Sequence, residues 1–384
     1  MMLKRVCALV ALVLLLPGMP ARAAGSFLRQ TSDYFGTVSM LRLYETAGAE
    51  ETWTAVKRLL SEIEQAVSVS EEDSDIARFN RVKAGESVAV SALTADIFRQ
   101  AQAVYELTGG LYDPTIYPLV DLWGFSPRFN SAGYKPTLPY DRPLTNGYPL
   151  PPDPEYIEAL LPLVGLPGIG LTETENGWLM KKNIPAVAAG GVMVEAQIDL
   201  GGIAKGYACD RVRDLLLSRG YTEGYFICGD SSMTFLNGRE GKPYQVTAGK
   251  PRATAQGFSE YARFGLENAS LATSSDAAHA YDADGAHWCH LIDPRTGWPI
   301  NRPDQNGVQA GAASVTVIGA EAAVLDALGT ALCVMGPEEA QAFMEDRPEQ
   351  MLMVAWRSDS DRYEVVTNMP EGSLELPDPA YQTY

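Results

Sequence analysis

EAQIDLGGIAKGYACDRVRDLLLSRG, residues 195–220, changes its period part-way along. EAQIDL reads as a strand, Gly201-Gly202 as a tight turn, and 203–219 as a helix that Gly220 stops. Asp199 then ends the strand and Lys205 lies in the first helical turn. A helix N-terminus offers unpaired N–H groups and a positive dipole to a phosphate, and two glycines let backbone approach a ligand. The same residues also serve as an ordinary turn. The spacing is neither G-x-G-x-x-G nor a P-loop, so neither a dinucleotide fold nor an NTPase follows.

Outward from this unit the chain alternates strands and helices. YFGTVSMLRLY (34–44) reads as a strand. Trp53, Val56, Leu59, Leu60, Ile63 and Val67 recur at helical spacing over 50–69. A second helix covers about 92–108, with Gly109-Gly110 at its left-handed cap. A short helix follows PPDP near 154–163. GYFICGDSSMTFL (224–236) reads as strand, sharp turn, strand, and 313–318 as a strand. A helix over 320–335 ends at Gly336, and Pro337 opens another at its tolerated first position. The stretches 351–357 and 363–367 suggest a closing hairpin. Residues 126–153 hold seven prolines and read as a loop insertion. The expectation is one α+β domain of mixed sheets flanked by helices, over 25–384, with a Pro-rich surface insertion at 126–153.

The chain has 384 residues, with 30 Lys+Arg against 48 Asp+Glu and a formal charge of −18. Such a balance excludes a non-specific nucleic-acid binder, which needs basic residues to displace counterions. Attraction to anionic lipid is excluded in the same way. Lys4 and Arg5, the apolar run 6–16 and PGMPARAAGS follow the order of a secretory signal, too short to span a bilayer. Residues 1–24 are therefore expected to direct export, either cleaved or kept as an anchor on the outer face of the cell membrane. Removing them takes away Lys4, Arg5 and Arg22, so the formal charge moves from −18 to −21. Beyond Cys7 in the signal, Cys209, Cys228, Cys289 and Cys333 remain, none spaced for zinc, with pairing left open.

Three segments offer further chemistry. Asp326 and Thr330, four apart on a helix, share a face, and a carboxylate with a hydroxyl suits a hard divalent cation. TGGLYDPTIYPLVDLWGF (108–125) sets an aromatic beside an acid, where a planar ring could stack. AHWCHLIDPRTGWP (286–299) carries a rigid turn with the cation Arg295, and His290 as a candidate proton-transfer group. The three histidines, His279, His287 and His290, have no spacing that puts a trio on one face.

Taken in order, FGT (35–37), S-x-x-x-S-x-I-x-x-F-N (70–80), TGGLYDPT (108–115), LWGF (122–125), IDLGGIAKGYA (198–208), ATSS (272–275), HLIDPRTGWP (290–299) and D-x-x-x-T (326–330) resemble the ApbE family of FAD:protein FMN transferases. The resemblance spans roughly residues 34–345. It implies Mg²⁺ as cofactor, FAD as substrate, and FMN transfer to a Thr or Ser hydroxyl of an acceptor flavoprotein with release of AMP. The acceptor it implies is a subunit of a membrane redox complex. It also leaves open hydrolysis of FAD to FMN and AMP, or an exported protein that only binds flavin. By the same resemblance Phe35, Ser70, Leu111, Tyr112, Asp113, Asp199, Lys205 and Ile292 contact the flavin nucleotide. The metal falls to the Gly202 carbonyl, Asp326 and Thr330, and the proton acceptor to His290 or Asp326. Departures from the family pattern are Phe35 at its MGT start, Ser70 where an aromatic is usual, Gly329 between Asp326 and Thr330, the turn Gly229-Asp230-Ser231, and Thr273-Ser274-Ser275-Asp276-Ala277.

Overall fold

The computed structural model describes residues 26–126, 144–145, 148–252, 259–360 and 362–383. The expected secretory signal, 1–24, lies outside these residues, as does most of the expected 126–153 insertion. The helices are α1 (Ala49–Val67), α2 (Asp75–Arg81), α3 (Ala92–Leu107), α4 (Tyr117–Trp123), α5 (Pro154–Leu160), α6 (Gly201–Ser218) and α7 (Ala322–Met344). The fold is the α+β arrangement expected, with several mixed sheets. By internal contacts it divides into two compact units, neither continuous in sequence. One comprises residues 26–61, 205–279 and 305–383, the other 62–204 and 280–304, within the described residues.

The first unit holds a nine-stranded sheet. Its strands run in the order Phe27–Tyr34, Thr37–Leu43, Gly224–Cys228, Ser232–Phe235, Ala269–Ser275, Ala310–Gly319, Gln350–Arg357, Tyr363–Thr367 and Tyr381–Thr383. Every neighbouring pair is antiparallel except the last. All five residues of Gly224–Cys228 are buried, because both faces of the sheet are covered. On one face Tyr225, Ile227, Met233 and Phe235 pack with Val246 and Phe264 of a three-stranded sheet. On the other lies α7, against Ala269–Ser275 and Ala310–Gly319. Gly336 breaks that helix with φ of 76°, immediately before Pro337.

The second unit packs α2 and α3 against a three-stranded sheet of Ser87–Val90, Gly177–Lys182 and Ile169–Thr174. Ser74 caps α2 by accepting from the Ala77 N–H at 2.9 Å, and Ser91 caps α3 by accepting from Thr94 N–H at 3.1 Å. Its aromatic centre is Trp123, whose ring centroid lies 5.2 Å from Trp288 and 5.4 Å from Trp298. The Trp123 Nε1–H donates to the Gly297 carbonyl at 2.9 Å. LWGF and DPRTGWP, far apart in sequence, therefore meet. A Cβ on Gly297 would lie 2.6 Å from Ile157, and its φ is +73°.

Three expectations are corrected. EAQIDL belongs to no strand, although its backbone is held in other ways described below. Gly201 and Gly202 are not a turn but the first residues of α6. The hairpin 351–357/363–367 is present but does not close the sheet, because Tyr381–Thr383 pairs in parallel beyond it. Parallel pairing needs no hairpin turn, so short-range turn signals cannot announce it.

Candidate active site

In the first unit the candidate residues converge on α7. Asp326 is 5% exposed and Thr330, one turn on, is half-buried. Asp326 Oδ2 accepts the Gly206 N–H of α6 at 3.0 Å, and the Ser232 hydroxyl also donates to its carboxylate. Burial pushes the Asp326 carboxyl above the usual range; the Lys205 charge and these two donors pull it part of the way back. Gly206 is required by packing, since a Cβ there would stand 2.1 Å from the Ala322 carbonyl oxygen. The two helices are joined again one turn along α6. Asp210 accepts the N–H of Ala322 at 2.9 Å and of Ala323 at 2.8 Å. It thus caps α7 from another element, where Glu321 makes no side-chain cap of its own. Gly329 packs against Ser274, whose Oγ would be 3.0 Å from an added Cβ, which accounts for the small residue between the two oxygen donors.

Phe35 stands in the two-residue turn joining Phe27–Tyr34 to Thr37–Leu43, with φ of 53°, followed by Gly36 at 62°. Positive φ at both positions matches the twist of a tight hairpin, but a bulky residue there is strained. Strain of this kind concentrates where a side chain has a task.

The second unit carries the other candidates. Leu111, Tyr112 and Asp113 are buried and Ser70 is exposed. Asp113 is occupied internally: Oδ1 accepts from Thr115 N–H at 2.8 Å and Oγ1–H at 2.6 Å, and Oδ2 from Leu166 N–H at 3.3 Å. Burial raises its carboxyl, and these donors lower it in part. Asp199 is half-buried, and its Oδ1 accepts from Gly201 N–H at 2.8 Å, with Gly202 next in α6. Ile292 is buried and bridges to Pro299, while His290 is half-buried just after the strand Ala286–Cys289. The Arg295 guanidinium turns back onto Asp293, with Nε 3.0 Å and Nη2 2.9 Å from its oxygens. That ion pair neutralises much of the charge a phosphate would meet.

Asp326 and Thr330 supply the hard oxygen donors that Mg²⁺ selects. Among the described residues no three acidic, His or Cys side chains gather as a self-sufficient metal cage. One carboxylate plus water and substrate phosphate oxygens is a common way to hold Mg²⁺, so the donor set fits that ion. The sequence reading gave no role to Asp210, Lys182 or Asn80, although Asn80 closes the 70–80 motif. The only signal for Lys182 was a lysine in phase with buried Met180 on Gly177–Lys182.

Fold and site together define an α+β protein with an acid–hydroxyl pair on one helix and a glycine-opened helix leading to a lysine. The model of the ApbE family matches residues 35–354, and the chain belongs to that family. A relative from Vibrio cholerae, named FAD:protein FMN transferase, is 32% identical over 315 residues, covering 82% of each chain. One of the same name from Escherichia coli (strain K12) is 28% identical over 298 residues, covering 77% of this chain and 74% of its own. The solved flavin transferase ApbE of Vibrio cholerae aligns with a TM-score of 0.68 and 28% identity, covering 89% of this chain and 97% of that one. The ApbE protein of Thermotoga maritima aligns at 0.69 and 26% identity, covering 86% and 94%.

Proposed function

We propose that this protein moves FMN from FAD to a Thr or Ser hydroxyl of an acceptor flavoprotein, with Mg²⁺, releasing AMP. The observation that carries this reading is the buried Asp326 carboxylate one turn from Thr330 on α7, inside the span matched by the family. The relatives' printed activity supports it. The acceptor oxygen attacks the FMN phosphorus, the bond to the AMP phosphate breaks, and AMP departs. The hydroxyl proton passes to His290 or to Asp326, either of which is a suitable proton acceptor by type. Bound Mg²⁺, held by Asp326 and Thr330, would neutralise the charge that builds on the pyrophosphate oxygens. The Lys205 charge acts in the same direction. Residues 25–384 act as one flavin transferase domain behind a secretory signal at 1–24, placing the reaction outside the cytoplasm. A subunit of a membrane redox complex is the acceptor by this reading. No helix of the described residues is long and apolar enough to cross a membrane.

Incubation with FAD, Mg²⁺ and a Thr-bearing acceptor tests the reading. A flavin band that survives denaturing electrophoresis, lost with EDTA or in Asp326→Ala, is the expected result. Added monovalent salt should change the rate little, because the protein is acidic overall and long-range steering of FAD is not part of the scheme. AMP release without covalent flavin would replace transfer with hydrolysis. Intact FAD after prolonged incubation would leave a binding protein.

A further inference from the structure

The segment Glu195–Leu200 brings Asp199 to the start of α6, yet no ladder holds it. Its backbone is fastened by a side chain instead. The Ile198 N–H donates to Asn80 Oδ1 at 2.8 Å, and Asn80 Nδ2 donates to the Ile198 carbonyl at 2.9 Å. One primary amide thus gives and takes a bond at a single residue, as the peptide groups of a neighbouring strand would. The next residue is held as well, since Asp199 N–H donates to the Pro114 carbonyl at 3.0 Å.

Asn80 is 2% exposed and sits one residue before the end of α2, where carbonyls lack helical partners. A lysine meets them. Lys182 Nζ donates to the Val82 carbonyl at 2.6 Å and to the Asn80 carbonyl at 3.4 Å. Its side chain is fully buried, with Nζ 5.3 Å from the centroid of the Phe79 ring and the Glu86 and Glu195 charges facing it. Lys182 is fixed by its backbone too, donating to the Glu86 carbonyl at 3.1 Å and accepting from Gly85 N–H. A buried ammonium is expensive unless its donors are used, and here they are used to anchor the residue that clamps Ile198.

We propose that Asn80 and Lys182 are positioning residues: Lys182 fixes the end of α2, Asn80 clamps Ile198, and together they set Asp199 and the first turn of α6 for the flavin nucleotide. The inference rests on the flavin reading above for its functional half. Its structural half stands on the hydrogen bonds alone. Asn80→Asp separates the clamp from mere bulk. The ionised carboxylate still accepts from Ile198 N–H but cannot donate, and it turns an oxygen toward the Ile198 carbonyl. Protonated, it regains an O–H donor of nearly the same shape.

The experiment measures hydrogen-exchange protection across residues 196–203 and FAD affinity, both as functions of pH, in the full chain. In Asn80→Asp at neutral pH, protection of Ile198 and Gly201 and the affinity for FAD should each fall about tenfold, the size of one lost buried donor. Both should recover as the carboxyl protonates on acidification, with exchange corrected for its intrinsic pH dependence. Lys182→Met should lower protection of the same amides without the acid recovery, and it carries the exchange measurement should Asn80→Asp not fold. Wild-type protection in the folded variants overturns the clamp. Protection lost while FAD affinity is unchanged overturns the positioning role. A wild-type protein that ignores FAD, or an Asp199→Ala variant that binds it normally, sinks the flavin reading instead, and the exchange result then decides the clamp by itself.

Discussion

The two units build their candidate residues in different ways. Around Asp326 the groups stand on regular elements: α7, the first half-turns of α6 beyond Lys205, and the buried strand Ser232–Phe235. Around Asp199 they stand on backbone without a ladder, secured by the Asn80 amide and the Pro114 carbonyl. A site on regular elements inherits its precision from hydrogen bonds that the fold makes anyway. A site on irregular backbone needs dedicated side chains, and each is a single point of failure. The contrast predicts that the first is broken by disturbing helix packing and the second by disturbing buried polar groups.

Gly206→Ala should have the largest effect. The new methyl would meet main chain at the Ala322 carbonyl, which has no rotamer with which to yield. A loss of about 3 kcal/mol or more is expected, read as insoluble protein or a steep fall in melting temperature. A soluble variant of ordinary stability would show that α6 and α7 can part freely, and would remove the rigidity assigned to the Asp326 side.

The buried polar groups of the second unit carry a pH signature. Burial holds the Lys182 ammonium down from 10.5 to about 8, with Glu195 and Glu86 opposing the shift. Between those values the unfolded chain binds a proton that the folded one lacks, so stability rises with pH across that window. The gain is at most about 3 kcal/mol, taking 1.36 kcal/mol per unit. Denaturant unfolding of wild type and Lys182→Met at several alkaline pH values checks it. The slope specific to wild type should vanish in the variant, and equal slopes would refute the assignment.

A smaller loss tests the cap made between helices. Asp210→Ala leaves the Ala322 and Ala323 N–H groups without their carboxylate and should destabilise by about 1–2 kcal/mol. Because α7 carries Asp326, transfer should weaken as well, whereas Asp210→Asn, which still accepts, should recover part of both. Equal losses in the two variants would assign the effect to charge rather than to capping.

The smallest expected change has the opposite sign. Phe35→Asn relieves a bulky residue at positive φ and should stabilise by about 1 kcal/mol, since Asn tolerates that region. FAD affinity should fall if the strain serves the ring. Calorimetry alongside a flavin titration separates the two, and an unchanged affinity would leave the strained turn without a task.

Much of the first unit was legible because its signals are local. The buried run GYFIC, Gly336-Pro337 and the four-residue spacing of Asp326 and Thr330 each report a structure formed within a few residues. The second unit misled where local signals and real partners diverge. EAQIDL has the composition of a strand, but its hydrogen-bond partner is an amide 118 residues away. Gly201-Gly202 has the composition of a turn, but Asp199 accepts the first N–H and α6 begins at once.

Propensity, period and motif order were enough to establish an α+β chain of the ApbE type, its principal helices, and a carboxylate and hydroxyl on one helical face. Those features depend on neighbours along the chain. The cap that Asp210 places on α7, the need for glycine at 206, the commitment of Arg295 to Asp293, and the hold of Asn80 and Lys182 on the Asp199 segment came from folding alone. Apart from the local Arg295–Asp293 pair, each satisfies a buried polar group or a close backbone approach between distant segments. Such demands exist only once the chain has packed and water has left.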